Sequence, residues 1–140
     1  MAPKTTFSIL VPFRNEAENL PILLESIAKL KYPTDLFEVL LIDDASEEKF
    51  QIPNSKFQIT LTNTIRQSNS PKKDAITTGV PLANNEWIVT TDADCVVPEN
   101  WLLTMDDYIQ NHTVEMIAGA VNYDCKPSFL HHFQQLDLTS

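Results

Sequence analysis

Apolar residues along this chain follow two rhythms. Short continuous runs end abruptly in polar residues: Phe7-Ser8-Ile9-Leu10-Val11 before Pro12, Phe37 to Ile42 before Asp43-Asp44, Trp87 to Thr91 before Asp92, and Met116 to Val121. Runs of this length with turn signals at their ends predict strands buried on both faces. Between them the spacing becomes helical. Leu20, Leu23, Leu24, Ile27 and Leu30 share one helix face, and Pro21 is tolerable only in a first turn. The helix should therefore begin near Asn19, which can cap it. Ser70-Pro71 predicts a second start, followed by Ala75, Ile76 and Val80, with Pro81 ending it. Pro98 opens a third, with Trp101, Leu102, Met105, Tyr108 and Ile109 on one face and Asp106-Asp107 on the wet one. Gln58 to Thr62 alternates like an edge strand, residues 45–55 read as loop, and 129–138 reads as a last helix. Strands and helices in this order predict an α/β fold with a mostly parallel sheet flanked by helices.

Composition narrows the function. The 140 residues make one domain, 1–140, and 43% hydrophobic content supplies a core. No apolar run reaches the ~18 residues of a membrane span. The start, Met1-Ala2-Pro3-Lys4, has no apolar segment, so no secretory leader is expected and a cytoplasmic location follows. Net charge is −9, from 19 acidic against 10 basic residues, which argues against a nucleic-acid partner. Cys95 and Cys125 form no C-x-x-C pair, so neither a zinc site nor a disulfide is expected, and a reducing compartment fits. The only glycines, Gly79 and Gly119, exclude a Walker A loop and a G-x-G-x-x-G turn.

In parallel sheets ligands bind beyond the carboxyl ends of the strands. Three of those ends are polar: Pro12-Phe13-Arg14-Asn15-Glu16, Asp43-Asp44 and Asp92-Ala93-Asp94. Side by side they would gather four carboxylates, whose repulsion calls for a cation. Hard oxygen ligands suit Mg²⁺ or Mn²⁺ bridged to a phosphate. In an extended Asp92-Ala93-Asp94 both carboxylates would point the same way; the bland alternative is a pair of solvated turn aspartates. Asp43 ends an apolar strand and can accept an N–H from a nucleobase, or can instead cap the following loop. Asp44 points the other way and is the structural member.

These stretches resemble the inverting family 2 glycosyltransferases of GT-A fold. The resemblance lies in Ser8-Ile9-Leu10-Val11-Pro12-Phe13-Arg14-Asn15-Glu16, Leu41-Ile42-Asp43-Asp44-Ala45-Ser46, Lys72-Lys73-Asp74-Ala75-Ile76 and Thr91-Asp92-Ala93-Asp94, in that order. It implies a Rossmann-like nucleotide-binding half and a D-x-D motif at Asp92 and Asp94, which hold the metal. Nucleotide-sugar contacts are implied at Pro12, Arg14, Asn15, Glu16, Asp43, Lys72 and Asp92. Pro71 stands where the family has glycine before the basic residue. The implied partners are a nucleotide-sugar donor, with a UDP-sugar favoured, and a sugar or lipid-linked acceptor. The similarity is to bacterial membrane-associated members, so the parent protein would work at the cytoplasmic face of a membrane.

The family's general base lies well downstream of its D-x-D, and neither Asp124 nor Asp137 has the right context. The chain is therefore expected to be a donor-binding half, incomplete at its C-terminal end, with 127–140 a tail segment. Exposed apolar residues such as Phe129, Leu130 and Phe133 would then favour a homodimer or higher oligomer. Two rival readings remain. Thr91-Asp92-Ala93-Asp94-Cys95 also fits a haloacid dehalogenase-like phosphatase, with Asp92 as nucleophile and Asp94 as acid/base. The other is a nucleotide-binding module without catalysis.

Overall fold

The computed structural model describes residues 2–112. In chain order it contains β1 (Phe7–Phe13), α1 (Leu20–Ala28), β2 (Phe37–Asp43), β3 (Gln58–Asn63), α2 (Pro71–Gly79), β4 (Trp87–Thr90) and α3 (Trp101–Asn111). Single 3₁₀ turns occupy Thr34–Leu36 and Val80–Leu82. The strand expected at 116–121, the helix at 129–138 and the tail at 127–140 lie outside the described residues.

The strands form one sheet in the order β3-β2-β1-β4, and each neighbouring pair is parallel. The expected α/β architecture, a parallel sheet flanked by helices, is the one observed. Alternation along β1 and β2 explains the layering. Ile9, Val11, Phe13, Val39 and Leu41 face one way and pack with Leu20, Leu23 and Ile27 of α1 and with Trp101 and Leu102 of α3. Leu10, Leu40 and Ile42 face the other way, onto Ala75 of α2. A side chain on Gly79 would put its Cβ 2.5 Å from Ile42 Cδ1 and 3.0 Å from Leu10 Cδ2. Glycine there lets α2 lie close on the sheet.

β1 runs two residues past the expected stop at Val11, through a proline. Residues of a parallel strand alternate in the neighbour they hydrogen-bond. Leu10 C=O accepts from Thr91 N on the β4 side, and Phe13 C=O accepts from Asp44 N on the β2 side. Pro12 has the parity of Leu10, so its missing N–H falls where β4 has already ended at Thr90. The sheet loses no hydrogen bond to it.

Three expectations need correction. Asn19 precedes α1, but its side chain makes no cap bond; Nδ2 donates to Glu16 Oε2 instead, at 2.8 Å. On α3, Tyr108 is exposed and stacks on His112, so it does not share the core face. Asp106, expected in water, is 3% exposed. It accepts from the N–H groups of Thr5 and Lys4 and from Gln110 Nε2, anchoring the segment that leads into β1. Burial alone would raise its carboxyl, but the Thr5, Lys4 and Gln110 hydrogen bonds prevail and hold it below the usual range. Asp106 lies four residues after Leu102 and three before Ile109, beside the apolar face, whereas Asp107 lies on the opposite side.

Candidate functional site

β1, β2 and β4 are adjacent and parallel, so their carboxyl ends, with Arg14, Asp43 and Asp92 just beyond or at the tips, lie along one edge of the sheet. Register places Phe13 beside Asp43. Asp43 is half-buried, and its Oδ1 accepts the Ser46 N–H at 2.9 Å. The loop-capping alternative is thus realised at one oxygen. Oδ2 accepts no hydrogen bond among the described residues.

The loop after β1 meets the loop after β2. Asn15 N donates to Ser46 Oγ at 2.8 Å, and Glu47 N donates to Asn15 Oδ1 at 2.8 Å. Asn15 (φ 54°) and Ala45 (φ 57°) are both in the left-handed region. Asparagine tolerates it; alanine does so at a cost. Arg14 and Asn15 are exposed, Glu16 is half-buried, and Pro12 is buried within the sheet. Glu16 also starts α1, its carbonyl accepting from Asn19 N and Leu20 N.

Asp44 is turned away from this edge, as expected. It is buried and paired with Arg66 Nη1 at 3.1 Å. Arg66 Nε also lies 3.5 Å from Asp74 Oδ2, so one guanidinium ties the end of β2 to the first turn of α2. Asp74 accepts from Gln67 N, Ser68 N and Ser68 Oγ. The Gln67 and Ser68 hydrogen bonds, with a smaller contribution from Arg66, hold its carboxyl below the usual range. Nothing in the local pattern around Arg66 marks it as a partner of Asp44. The available signal was Asp44 itself, since a carboxylate at the end of a buried strand requires a cation.

Lys72, on the first turn of α2, is not a solvated lysine. Its Nζ donates to Asp92 Oδ1 at 2.9 Å, with the two side chains 4% and 1% exposed. The other Asp92 oxygen, Oδ2, is buried and has no hydrogen-bond partner among the described residues. The D-x-D is a turn rather than an extended segment. Cys95 N donates back to Asp92 C=O at 3.2 Å, and this closure brings the carboxylates together. Ligand-type atoms of Asp92, Asp94 and Cys95 lie within 4.8 Å of one another. Asp43 and Asp44 are not in that group, which corrects the expected convergence of four carboxylates.

Cys95 is disulfide-bonded, which corrects the expectation that no disulfide forms and removes the support that cysteine usage lent to a reducing compartment. Its sulfur lies 3.7 Å from Asp94 Oδ1, but a disulfide sulfur is no thiolate ligand. The donors left are carboxylate oxygens, one of them an orphaned buried atom. That set fits a hard divalent cation such as Mg²⁺ or Mn²⁺. Among the described residues no helix is long and apolar enough to cross a membrane.

With the geometry in place, known proteins sharpen the picture. The family model described as glycosyl transferase family 2 matches residues 8–136. Glycosyltransferase AglE of Haloferax volcanii is 25% identical over 119 residues, covering 83% of this chain and 39% of that protein. The structure of S. aureus TarS 1-349 in complex with UDP-GlcNAc superposes with a TM-score of 0.64 at 24% identity, over 77% of this chain and 32% of that one. The mannosyltransferase PcManGT from Pyrobaculum calidifontis, in complex with GDP-Man and Mn²⁺, gives 0.57 at 24% identity, over 79% and 32%. At these identities the solved structures show the shared fold. The chain spans well under half the length of each of these proteins.

Proposed function

The chain belongs to glycosyl transferase family 2, and we propose that it forms the donor-binding part of an inverting, metal-dependent glycosyltransferase. The observation that carries this reading is Asp92 Oδ2, buried with no hydrogen-bond partner among the described residues and grouped with Asp94, at the end of a strand where such folds bind ligands. A deeply buried oxygen of this kind is costly unless something occupies it. Family membership sets aside the phosphatase reading of Asp92 and Asp94.

In this proposal Asp94 and Asp92 Oδ2 hold Mg²⁺ or Mn²⁺ against the donor's diphosphate. When bound, the cation supplies charge neutralisation for the departing nucleoside diphosphate. Lys72 keeps Asp92 Oδ1 occupied and so orients the carboxylate, acting on the donor through Asp92. Asp43 Oδ2 accepts an N–H of the base. Pro12, Arg14, Asn15 and Glu16 border the nucleotide from the end of β1. A UDP-sugar is the favoured donor, in keeping with the UDP-GlcNAc complex of a structural neighbour, although another neighbour holds GDP-Man. The acceptor is a sugar or lipid-linked sugar, met at the cytoplasmic face of a membrane. Its proton needs a base, and none of the side chains assigned above is placed for that role. The 140-residue chain should therefore transfer no sugar by itself. Self-association of the chain, expected from the apolar residues of its C-terminal segment, belongs to the same proposal, and light scattering would detect it.

Titration calorimetry of the chain with UDP, with and without Mn²⁺, tests the site. Binding should require the metal, and Asp94→Ala should remove the gain from Mn²⁺, leaving binding weak with or without it. Equal binding in the absence of metal would overturn the roles given to Asp92 and Asp94. Robust transfer by the chain alone would place a base within it.

A further inference from the structure

Ser46 stands at the joint between the two loops that border Asp43. Its N–H donates to Asp43 Oδ1 at 2.9 Å, and its hydroxyl oxygen accepts from Asn15 N at 2.8 Å. Asn15 answers with its own side chain, accepting Glu47 N at 2.8 Å. The backbone contributes a fourth link, Asp44 N to Phe13 O at 2.8 Å. Left-handed residues on both sides, Asn15 and Ala45, bring the loops within reach. Such conformations persist where surrounding contacts over-determine them. The result is a latch that holds the Asp43 carboxylate in one orientation.

We propose that Ser46 is a positioning residue that fixes Asp43 so that a single carboxylate oxygen faces the donor's base, favouring a base edge with one N–H donor. This inference rests on the donor-site reading above and deepens it. With Oδ1 engaged by Ser46 N, the acceptor presented is Oδ2. The uracil edge offers one donor, N3–H, between two carbonyls. The guanine edge offers N1–H and N2–H₂ side by side, a pair that is best met by both oxygens of a free carboxylate. A carboxylate held by Ser46 therefore matches the former. Removing the hydroxyl unties Ser46 from Asn15. The backbone N–H that holds Asp43 Oδ1 remains, but the main chain that carries it loses its anchor to the neighbouring loop, and the carboxylate is held less firmly in one orientation.

The test uses the full chain, with Mn²⁺ present, and measures UDP and GDP affinity for the unmodified protein, Ser46→Ala and Ser46→Thr. Affinity for Mn²⁺ alone, read by electron paramagnetic resonance, is the control at the D-x-D. The unmodified chain should prefer UDP. Ser46→Ala should weaken UDP binding about five- to tenfold, the scale of one lost hydrogen bond, and should narrow the UDP-over-GDP preference. Its Mn²⁺ affinity should be unchanged, and Ser46→Thr, which keeps the hydroxyl, should restore UDP binding. Unchanged UDP affinity in Ser46→Ala overturns the inference, as does an equal loss of Mn²⁺ affinity, which would mark Ser46 as purely structural. GDP bound as well as UDP by the unmodified chain overturns the base preference. No nucleotide binding by the unmodified chain overturns the donor-site reading and the inference together.

Discussion

Lys72 Nζ sits 2.9 Å from Asp92 Oδ1, with both side chains almost wholly out of water. Bringing two charges out of water costs several kcal/mol each, and their attraction repays this only while both are present. Lys72 reaches Asp92 because α2 lies on the sheet face opposite α1, with its first turn at the carboxyl edge of the strands. The pair therefore joins the stability of the α2–sheet packing to the geometry of the D-x-D.

Replacing one partner should consequently be severe. Lys72→Met leaves Asp92 buried and uncompensated, with an expected loss of about 3–5 kcal/mol. The double variant Lys72→Met/Asp92→Asn should recover part of that loss. Urea denaturation of the three proteins checks this. A Lys72→Met variant as stable as the unmodified chain would show that the pair is open to water in solution.

Ala45 should be improvable. At φ 57° an L-residue with a Cβ carries roughly 1–2 kcal/mol of strain that glycine avoids. Part of that gain is returned as the extra chain entropy of an unfolded glycine. Ala45→Gly should raise the thermal midpoint by a few degrees, measured by calorimetry. A lower midpoint would mean that the turn in solution is not left-handed at this position.

Gly79→Ala should act in the opposite direction. In an exposed helix that change stabilises by up to about 1 kcal/mol. Here the new methyl would lie 2.5 Å from Ile42 Cδ1, in a layer where Leu10 and Ile42 are fully buried. Overpacking of that kind costs typically about 1–3 kcal/mol, so a net loss of stability is expected. A gain in the urea midpoint would show that α2 can lift from the sheet freely.

The chain should lose stability in acid through Asp106. Its folded carboxyl is held below the usual range by the Thr5, Lys4 and Gln110 hydrogen bonds, which outweigh burial. A depressed folded value means that the stabilisation is present above the unfolded pKa of about 3.9. It is lost as pH falls through the folded value. Urea midpoints measured from pH 7 to pH 3 should decline below about pH 4. Asp106→Asn should be less stable at pH 7 and show a shallower decline. An identical pH profile for both proteins would remove Asp106 from the account.

Much of this architecture is a local property of the chain. The runs at Phe7 and Phe37 specify strands buried on both faces, because unbroken apolar sequence is costly to expose. The run at Trp87 also forms a strand, but it is only partly buried and leaves Ile88 exposed, which corrects the expectation of burial on both faces there. The spacing of Leu20, Leu23, Leu24 and Ile27 specifies a helix because period 3.6 puts them on one face. The order of these elements then implies a parallel sheet, and with it the one edge along which Asp43 and Asp92 both lie, with β1 between their strands. What the sequence could not determine are pairings across long separations. Lys72 with Asp92, Arg66 with Asp44 and Asp74, and Asn15 with Ser46 each depend on how helices and loops settle on the finished sheet. The same holds for the partners of Asp106. Helical spacing puts Asp106, four residues after Leu102 and three before Ile109, nearer the core face than Asp107, but only the N–H groups of Lys4 and Thr5, delivered by a segment distant in sequence, let a carboxylate be buried there.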